Sequence, residues 1–299
     1  MAPANGGSYE STSAKRDNIK RGAKERNHLG TACFVGSRAL DPFLQYNILA
    51  KGYGSSLIER LGGEVLSQGP ALVTNTFLDT ALGLSPYRSI LFAMSVSSML
   101  KQNTHCLGIM QEPMSPQAGL GIGAFNAAFN SLNSLFFICR QTSASTNGEH
   151  FPQSPLIVGS ILYSIGLSLE LGSEAQRHFW KKDPENKGKV YEDGLFGLSR
   201  HINYLGYVLW RGGYALAAGG WTWGAVTAAF FAYDFTQRGI PVLQHYLEEK
   251  VSAYYAMVSG RVRVLMRYSM VSSTSTTSRR CRTSLCRSCT ERWVRHESR

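Results

Sequence analysis

Three long stretches of this chain contain no charged side chain, and they limit the folds that the chain can adopt. They cover residues 113–139, 151–169 and 212–233. A helix needs roughly 20 mostly apolar residues to cross a bilayer, so each stretch is long enough to span one. Two weaker apolar segments, at 65–84 and 86–111, are interrupted by single charges.

The apolar segments are rich in Gly, Ser and Asn, which is typical of packed multi-helix bundles rather than of single anchors. The pattern therefore predicts an all-α fold, a polytopic integral membrane bundle of roughly five to seven transmembrane helices. The alternative is a large soluble all-α protein with core helices rich in Ala and Gly. The bilayer is the predicted partner, and the sequence indicates no obligate protein partner.

The net charge of +11 is concentrated in a few places. Residues 261–299 hold ten arginines and two glutamates, and further basic clusters lie at 14–26 and 177–189. No zinc-finger spacing or aromatic-and-basic RNA motif accompanies them, so we expect no nucleic-acid partner. Because Lys and Arg are enriched in the cytosolic loops of membrane proteins, the three clusters predict one cytosolic face.

Composition divides the chain into four segments. Residues 1–30, rich in Gly, Ser, Lys and Arg, predict a disordered basic arm. Residues 31–150 hold the N-terminal transmembrane helices, and residues 151–250 form the predicted catalytic and cofactor domain. Residues 251–299 shift abruptly to Ser, Thr and Arg, an atypical tail that a gene-model artefact such as a read-through intron would explain.

The six cysteines provide no disulfide framework. Cys281, Cys286 and Cys289 cluster in the tail, where His296 is the nearby candidate for a fourth metal ligand. The Ser- and Arg-rich composition of the tail accounts for this cluster better than a zinc site does. We therefore predict no metal.

Polar side chains interrupt the apolar stretch "GLFGLSRHINYLGYVLWRGG", residues 194–213. At 100° per residue on a helix, five of them share an arc of about 100°. These five, which we call the polar stripe, are Arg200, Asn203, Tyr204, Tyr207 and Arg211. Ionisable groups at membrane depth are costly, so such a stripe indicates ligand contact or internal pairing.

Charged pairs flank the stripe in the sequence. Glu170 and Glu174 share a helix face where one apolar run ends, and Asp234 and Arg238 form an i,i+4 pair after another. These helix ends bring Arg, Lys, Asn and carboxylates to the presumed cytosolic face. Such a mixture suits a large anionic cofactor with phosphates and ribose, and we include Arg238 among its contacts.

A longer segment carries a family resemblance. Residues 173–216 read "SEAQRHFWKKDPENKGKVYEDGLFGLSRHINYLGYVLWRGGYAL". This segment resembles the C-terminal domain of the steroid 5-alpha-reductase superfamily. It is most similar to a domain-of-unknown-function branch, and the delta-14 and delta-7 sterol reductases carry a related Arg-His-x-Asn-Tyr-x-Gly motif. The resemblance covers about 170–215 well and 216–250 loosely.

The resemblance implies a helical endoplasmic-reticulum reductase that binds NADPH from the cytosolic side and takes a lipid-like substrate from the bilayer. By matching position it implies cofactor contacts at Arg200, His201, Asn203 and Tyr204, with Lys182 and Asn186 on the loop leading to the pocket. Gly194 and Gly206 would permit close backbone approach. Tyr204, Tyr207 and Glu170 are the candidate catalytic residues within the matched segment.

The chain departs from the family pattern at three places. Ile202 replaces the usual Pro after Arg-His, and Tyr207 replaces an acidic residue. The family's usual close is replaced by the Ser- and Arg-rich tail.

The predicted function is NADPH-dependent reduction of a carbon–carbon double bond, an enone or alkene, in a steroid, sterol, polyprenoid or secondary metabolite. One alternative is a membrane methyltransferase of the isoprenylcysteine type that uses S-adenosylmethionine. That class also shows an Arg-His-Pro-x-Tyr-x-Gly segment and a later Glu pair, to which Glu248 and Glu249 correspond. The other alternative is a non-catalytic membrane scaffold. The sequence does not identify the substrate.

Overall fold

The computed structural model describes residues 25–186, 189–245 and 248. The predicted basic arm up to residue 24, the tail from 249 onward with its cysteines, and Glu249 lie outside the described residues. The described chain is helical, with one isolated antiparallel bridge between Val65 and Cys139. The predicted all-α class is confirmed for these residues.

Seven α-helices follow one another in the described chain. They are α1 His28–Lys51, α2 Ser55–Arg60, α3 Phe77–Leu82, α4 Pro86–Thr104, α5 Pro116–Ile138, α6 Ser154–Trp180 and α7 Ile202–Asp234. Single π-helical turns, His105–Ile109 and Phe235–Gly239, extend α4 and α7. The described residues from 25 to 244 form one compact unit.

Local sequence signals set the ends of the long helices. The Asn27 side chain accepts a hydrogen bond from the Gly30 amide at 3.0 Å and caps the start of α1. Ser115 caps α5 in the same way, by accepting from the Ala118 amide at 3.1 Å, and Pro116 stands at its first position. Gly52, at φ 69°, ends α1 in the left-handed conformation that glycine adopts without strain.

Helix α7 is a hairpin rather than one straight rod. Its backbone leaves helical geometry at Gly219 and at Gly220, which has φ 75° and ψ −173°. Beyond this point the chain folds back, because Gly212 approaches Ala228 and Gly224 approaches Leu216. The two arms, residues 202–218 and 221–234, therefore pack antiparallel. The sequence prediction of a single span over 212–233 is wrong, since the Gly-Gly pair inside that window reverses the chain.

The long helices alternate in direction. Arg38 of α1 meets Gln102 of α4, whereas the Leu49 carbonyl near the end of α1 meets Arg88 near the start of α4. Helix α6 runs opposite to the first arm of α7, since Gly159 faces Gly213 and Gly166 faces Gly206. The bundle thus has two ends. The site end holds the starts of α1, α5 and α7 and the ends of α4 and α6, and the hairpin end holds the Gly219-Gly220 reversal.

Glycines bring α6 and α7 into close contact. A Cβ atom built on Gly166 would lie 2.4 Å from the Trp210 amide nitrogen and 2.5 Å from the Gly206 carbonyl oxygen. Gly159 and Gly213 form a second contact of this kind between α6 and α7. A Cβ atom built on either glycine would lie 2.6 Å from the carbonyl oxygen of the other. Backbones can approach this closely only where side chains are absent.

Along its long helices the bundle buries polar side chains beside an apolar core, and it exposes apolar side chains on its outer surface. Arg38, Asp41 and Gln45 of α1 are buried, while Leu40 and Phe43 on the same helix are each 68% exposed. On α6, the exposed isoleucines at 157, 161 and 165 are spaced four apart and form a continuous outer stripe. An apolar surface around a polar interior is the reverse of what water selects.

Among the described residues, two helical segments are long and apolar enough to cross a membrane: Ser154–Trp180, and Ile202–His245, which includes the Gly219-Gly220 reversal. These two support membrane association. Helices α1 and α4 bury Arg38, Asp41, Arg88 and Lys101, so an average over all faces of each helix understates the apolar character of its outer surface.

Candidate functional site

The polar stripe starts later in the structure than the sequence predicts. Residues Gly194–Gly197 form a 3₁₀ turn, and α7 begins at Ile202. Arg200 is therefore exposed in the turn before the helix, and His201 is the N-cap residue. The predicted helix over 194–213 is wrong in its first half, because the glycines at 194 and 197 favour turn geometry; Gly194 has φ 60°.

Glu174 lies at the centre of the site end. Its side chain is 7% exposed and forms an ion pair with Arg177 one turn along α6. Its other oxygen accepts a hydrogen bond from the Asn203 amide nitrogen at 2.9 Å. One buried carboxylate thus joins the end of α6 to the start of α7, and it orients Asn203 of the stripe.

Glu170 lies one turn deeper in the bundle. It forms an ion pair with Lys101 of α4, whose side chain is 4% exposed. The Trp210 indole also donates to Glu170 at 2.6 Å. Two donors therefore hold this carboxylate in place.

Three aromatic rings form a parallel stack beside these carboxylates. His201 lies 5.5 Å from Tyr204 and Tyr204 lies 4.5 Å from Phe235, centroid to centroid, with 3° between the planes of each pair. Burial, and to a smaller extent the charge of Arg200, lower the pKa of His201. The imidazole is therefore neutral at pH 7. Its buried Nδ1 atom has no hydrogen-bond partner among the described residues.

Tyr207 and Arg211 point further into the bundle. The Arg211 Nε atom donates to the Tyr207 hydroxyl at 3.3 Å. The Tyr207 ring packs against Phe231 and Phe235 from the second arm of the hairpin, at 5.2 and 5.3 Å. The predicted stripe is therefore divided: its first members lie at the site end and its last members lie in the interior.

Three other predicted contacts lie at the periphery. Lys182 is exposed, and its ammonium lies 4.9 Å from the Phe179 ring. Asn186 donates to the Trp180 carbonyl at 3.0 Å and so helps to close the end of α6. Arg238 pairs with Asp234 at 2.7 Å, as the i,i+4 spacing predicts. The structure does not bring these three together with Glu170.

A buried polar network was not found from the sequence. It connects α1, α4, α5 and α7 through Arg38, Asp41, Gln45, Gln102, Asn126, Asn130, Ser134 and Arg211. The spacing of four between Asn126, Asn130 and Ser134, inside a charge-free stretch, places them on one helix face and was the available signal. In the sequence, Lys101 stands out only as a charge that interrupts an apolar segment.

The fold and these sites define a class: an all-helical protein with a polar interior and a cluster of carboxylates and aromatic rings at one end of the bundle. Comparison with known proteins gives the family. Residues 130–259 match a family described as "Protein of unknown function (DUF1295)". A curated relative, the "Probable O-methyltransferase ustE" of Ustilaginoidea virens, is 38% identical over 240 residues, which cover 79% of this chain and 84% of the relative. No solved structure matches the chain.

The chain belongs to the DUF1295 family, which the relative's identity and coverage establish. This family is similar to the steroid 5-alpha-reductases, so the predicted resemblance is confirmed at that level. A closer relation to the delta-14 and delta-7 sterol reductases stays a prediction. This relative is named as a methyltransferase and not as an oxidoreductase.

Proposed function

We propose that the chain is a membrane-embedded O-methyltransferase that uses S-adenosylmethionine to methylate an oxygen of a lipid-like small molecule. The observation that carries the proposal is the 38% identity to a probable O-methyltransferase across 84% of that protein. The membrane methyltransferase was the alternative that the Arg-His-x-x-Tyr-x-Gly segment left open. The comparison now favours it over the reductase.

The site end has the chemistry that this methyl donor requires. S-adenosylmethionine carries a sulfonium and an ammonium, which favour aromatic faces and carboxylates. The stack of His201, Tyr204 and Phe235 and the carboxylate of Glu174 provide both. Exposed Arg200 is available for its carboxylate group. The unpartnered Nδ1 of His201 is a buried polar atom that a ligand would satisfy.

When bound, the donor supplies the methyl group, which leaves sulfur as the new oxygen–carbon bond forms. The residues of the chain then have two tasks. Glu174 and the aromatic stack hold the positive charge in place, and a proton must leave the acceptor hydroxyl. His201 suits the second task, because a neutral imidazole accepts a proton whereas Glu170 is already held by Lys101.

NADPH-dependent double-bond reduction is the second candidate. It rests on the resemblance of residues 173–216 to the steroid 5-alpha-reductase domain. Arg200, Arg238 and Lys182 are partly or fully exposed cations that could face phosphates, and Tyr204, Tyr207 and Glu170 would be its candidate acid residues. Both candidates place the cofactor at the site end, so one binding experiment separates them.

Thermal unfolding of the purified chain in detergent provides that experiment. We expect S-adenosylmethionine at 100 times its Kd to stabilise the protein by about 2.7 kcal/mol and NADPH to leave it unchanged. Transfer of radioactive methyl groups to a lipid extract would then identify the acceptor. Stabilisation by NADPH alone would reject the methyltransferase and support the reductase. Stabilisation by neither would favour the non-catalytic scaffold.

Arg200→Ala tests the location of the donor. Because Arg200 is exposed and precedes α7, its loss should leave the fold intact. Loss of one charge-assisted hydrogen bond should weaken binding of S-adenosylmethionine roughly ten- to a hundredfold. Arg140→Ala, which removes an equally exposed arginine paired with Glu64, is the matched control and should not change the affinity. Equal affinity in wild type and Arg200→Ala would place the donor elsewhere.

We further propose that the bundle crosses the membrane six times, within the predicted range of about five to seven. The crossings are α1, α4, α5, α6, the first arm of α7, and the second arm together with the helical residues that continue it to His245, and they alternate in direction. The 24, 23 and 27 residues of α1, α5 and α6 exceed the roughly 20 that a bilayer needs. The exposed apolar stripes face lipid, and the buried polar network is shielded from it inside.

Residues 181–201 should lie in the cytosol. This segment contains four lysines and Arg200, whereas the connections at the hairpin end, residues 52–85 and 139–153, contain only two arginines. In sealed endoplasmic-reticulum vesicles, a cysteine at Lys189 should react with an impermeant maleimide, and one at Glu149 should react only after permeabilisation. A cysteine-free background is needed. The reverse labelling pattern would invert the topology and move the cofactor site to the lumen.

A further inference from the structure

The polar network in the bundle interior contains more positive than negative charge. It contains two guanidinium groups, Arg38 and Arg211, and one carboxylate, Asp41. Arg38 pairs directly with Asp41 at 2.7 Å, and both side chains are fully buried. Outside the network, the buried ammonium of Lys101 has its own carboxylate in Glu170. Arg211 is the member without a carboxylate.

All acceptors of Arg211 are neutral. Its Nη1 atom donates to the Asn130 side-chain oxygen at 3.0 Å, its Nη2 atom donates to the Asn126 side-chain oxygen, and its Nε atom donates to the Tyr207 hydroxyl. A guanidinium has five N–H groups, so two of them have no acceptor among the described residues. Arginine does not lose its proton in proteins, so the charge cannot be removed by deprotonation.

Arg211 is 1% exposed, but its neighbour Tyr207 is in contact with the aromatic stack at the site end. Its guanidinium carbon lies 4.4 Å from the Trp210 ring and 5.5 Å from the Tyr207 ring. Tyr207 is only half-buried and packs against Phe235 of the site-end aromatic stack. A small molecule held at that stack would therefore lie next to the Tyr207 ring, with the guanidinium directly behind it.

We propose that Arg211 binds an anionic oxygen of the substrate, so that the substrate is an acidic amphiphile. An unpaired buried charge is unfavourable, and a ligand oxyanion would supply both the missing negative charge and the missing hydrogen-bond acceptors. Arg211 would then be a specificity-determining residue of the proposed methyltransferase. The inference that the bound anion is a substrate rests on the proposed function. The inference that an anion binds at Arg211 depends only on the charge imbalance around that residue.

The test compares two ligands of the same shape that differ in charge. 2-Naphthoate and 2-naphthamide are titrated into the full-length chain in neutral detergent, and binding is followed by quenching of tryptophan fluorescence, to which Trp210 contributes. We expect wild type to bind the carboxylate at least about tenfold more tightly than the amide, the value of one charge-assisted contact. Equal affinities in wild type, or binding of neither probe, would overturn the proposal.

Asn126→Asp is the decisive variant. It puts a carboxylate of nearly the same size where Arg211 and Gln102 already donate, so the internal charge is balanced without a ligand. The preference for 2-naphthoate should fall to about onefold, while the melting temperature stays at or above that of wild type. Ser131→Asp, a matched control, adds a carboxylate on the same helix beside Gln45 and should keep the preference. An unchanged preference in Asn126→Asp would overturn the assignment to Arg211.

The two proposals can fail separately. Binding of S-adenosylmethionine is measured without naphthoate, and the naphthoate preference is measured without the methyl donor. A charge preference that disappears in Asn126→Asp, in a protein that does not bind S-adenosylmethionine, would retain the anion site and reject the methyltransferase. Donor binding without any charge preference would do the reverse.

Discussion

Asp41→Ala should destabilise the bundle by about 3–5 kcal/mol, the range measured when one partner of a buried ion pair is removed. Asp41 accepts hydrogen bonds from Arg38 at 2.7 Å, from Gln45 at 2.8 Å and from Asn130 at 2.6 Å. Without it, two buried guanidiniums share an interior that contains no network carboxylate. The change is measured as the shift of the unfolding midpoint in a detergent and denaturant series.

Glu64→Ala is the matched control for this prediction. Glu64 also pairs with an arginine, Arg140, at 3.0 Å, but the two side chains are 64% and 67% exposed. Exposed pairs contribute about 0–1 kcal/mol, so the variant should unfold almost as wild type does. If Asp41→Ala and Glu64→Ala destabilised the protein equally, the polar network would not be the buried centre of the fold.

Gly166→Leu should disrupt the contact between α6 and α7. A Cβ at this position would lie 2.4–2.5 Å from backbone atoms of Trp210 and Gly206, which cannot rotate away as side chains can. Overpacking by a few carbon atoms already costs about 1–3 kcal/mol in a tight core, and a backbone clash exceeds this. We expect the yield of monodisperse protein in detergent to fall to a small fraction of the wild-type yield.

Gly121→Leu separates this effect from the general effect of replacing a helical glycine. Gly121 lies in α5, and a Cβ built there meets nothing within 4 Å. Replacement should therefore be neutral or slightly stabilising, because leucine has the higher helix propensity. A normal yield of Gly166→Leu would mean that the two helices are not held at backbone contact.

The sequence predicted the helical class because long charge-free stretches are typical of helices that span a bilayer. It also predicted that Asn203, Tyr204 and Tyr207 share one face of a helix, since helical spacing alone fixes their common side. The start of α7 at Ile202 could not be obtained in this way, because periodicity continues through Arg200 whether or not the backbone is helical. The 3₁₀ turn at Gly194–Gly197 is determined by glycine geometry and by contacts with α6.

The partners of the site residues could not be predicted, because they come from distant parts of the chain. Glu170 appeared in the sequence as a free carboxylate near a helix end, yet Lys101 and Trp210 both bind it. Arg211 belonged to the predicted stripe, but two of its three acceptors, Asn126 and Asn130, lie on α5. Helix periodicity identifies the face on which a side chain lies, whereas only the tertiary packing determines which helix that face meets.

The Gly219-Gly220 reversal has a consequence for biogenesis. The arm 202–218 carries Arg211, and a lone arginine at the centre of an inserting helix costs about 2.5–3.5 kcal/mol on translocon scales. The arm 221–234 has a single charged residue, Asp234, at its end. It contacts Gly212 and Tyr207 of the first arm in the folded hairpin. In the proposed membrane bundle, entry of both arms as one pre-formed pair would shield the guanidinium from lipid from the outset.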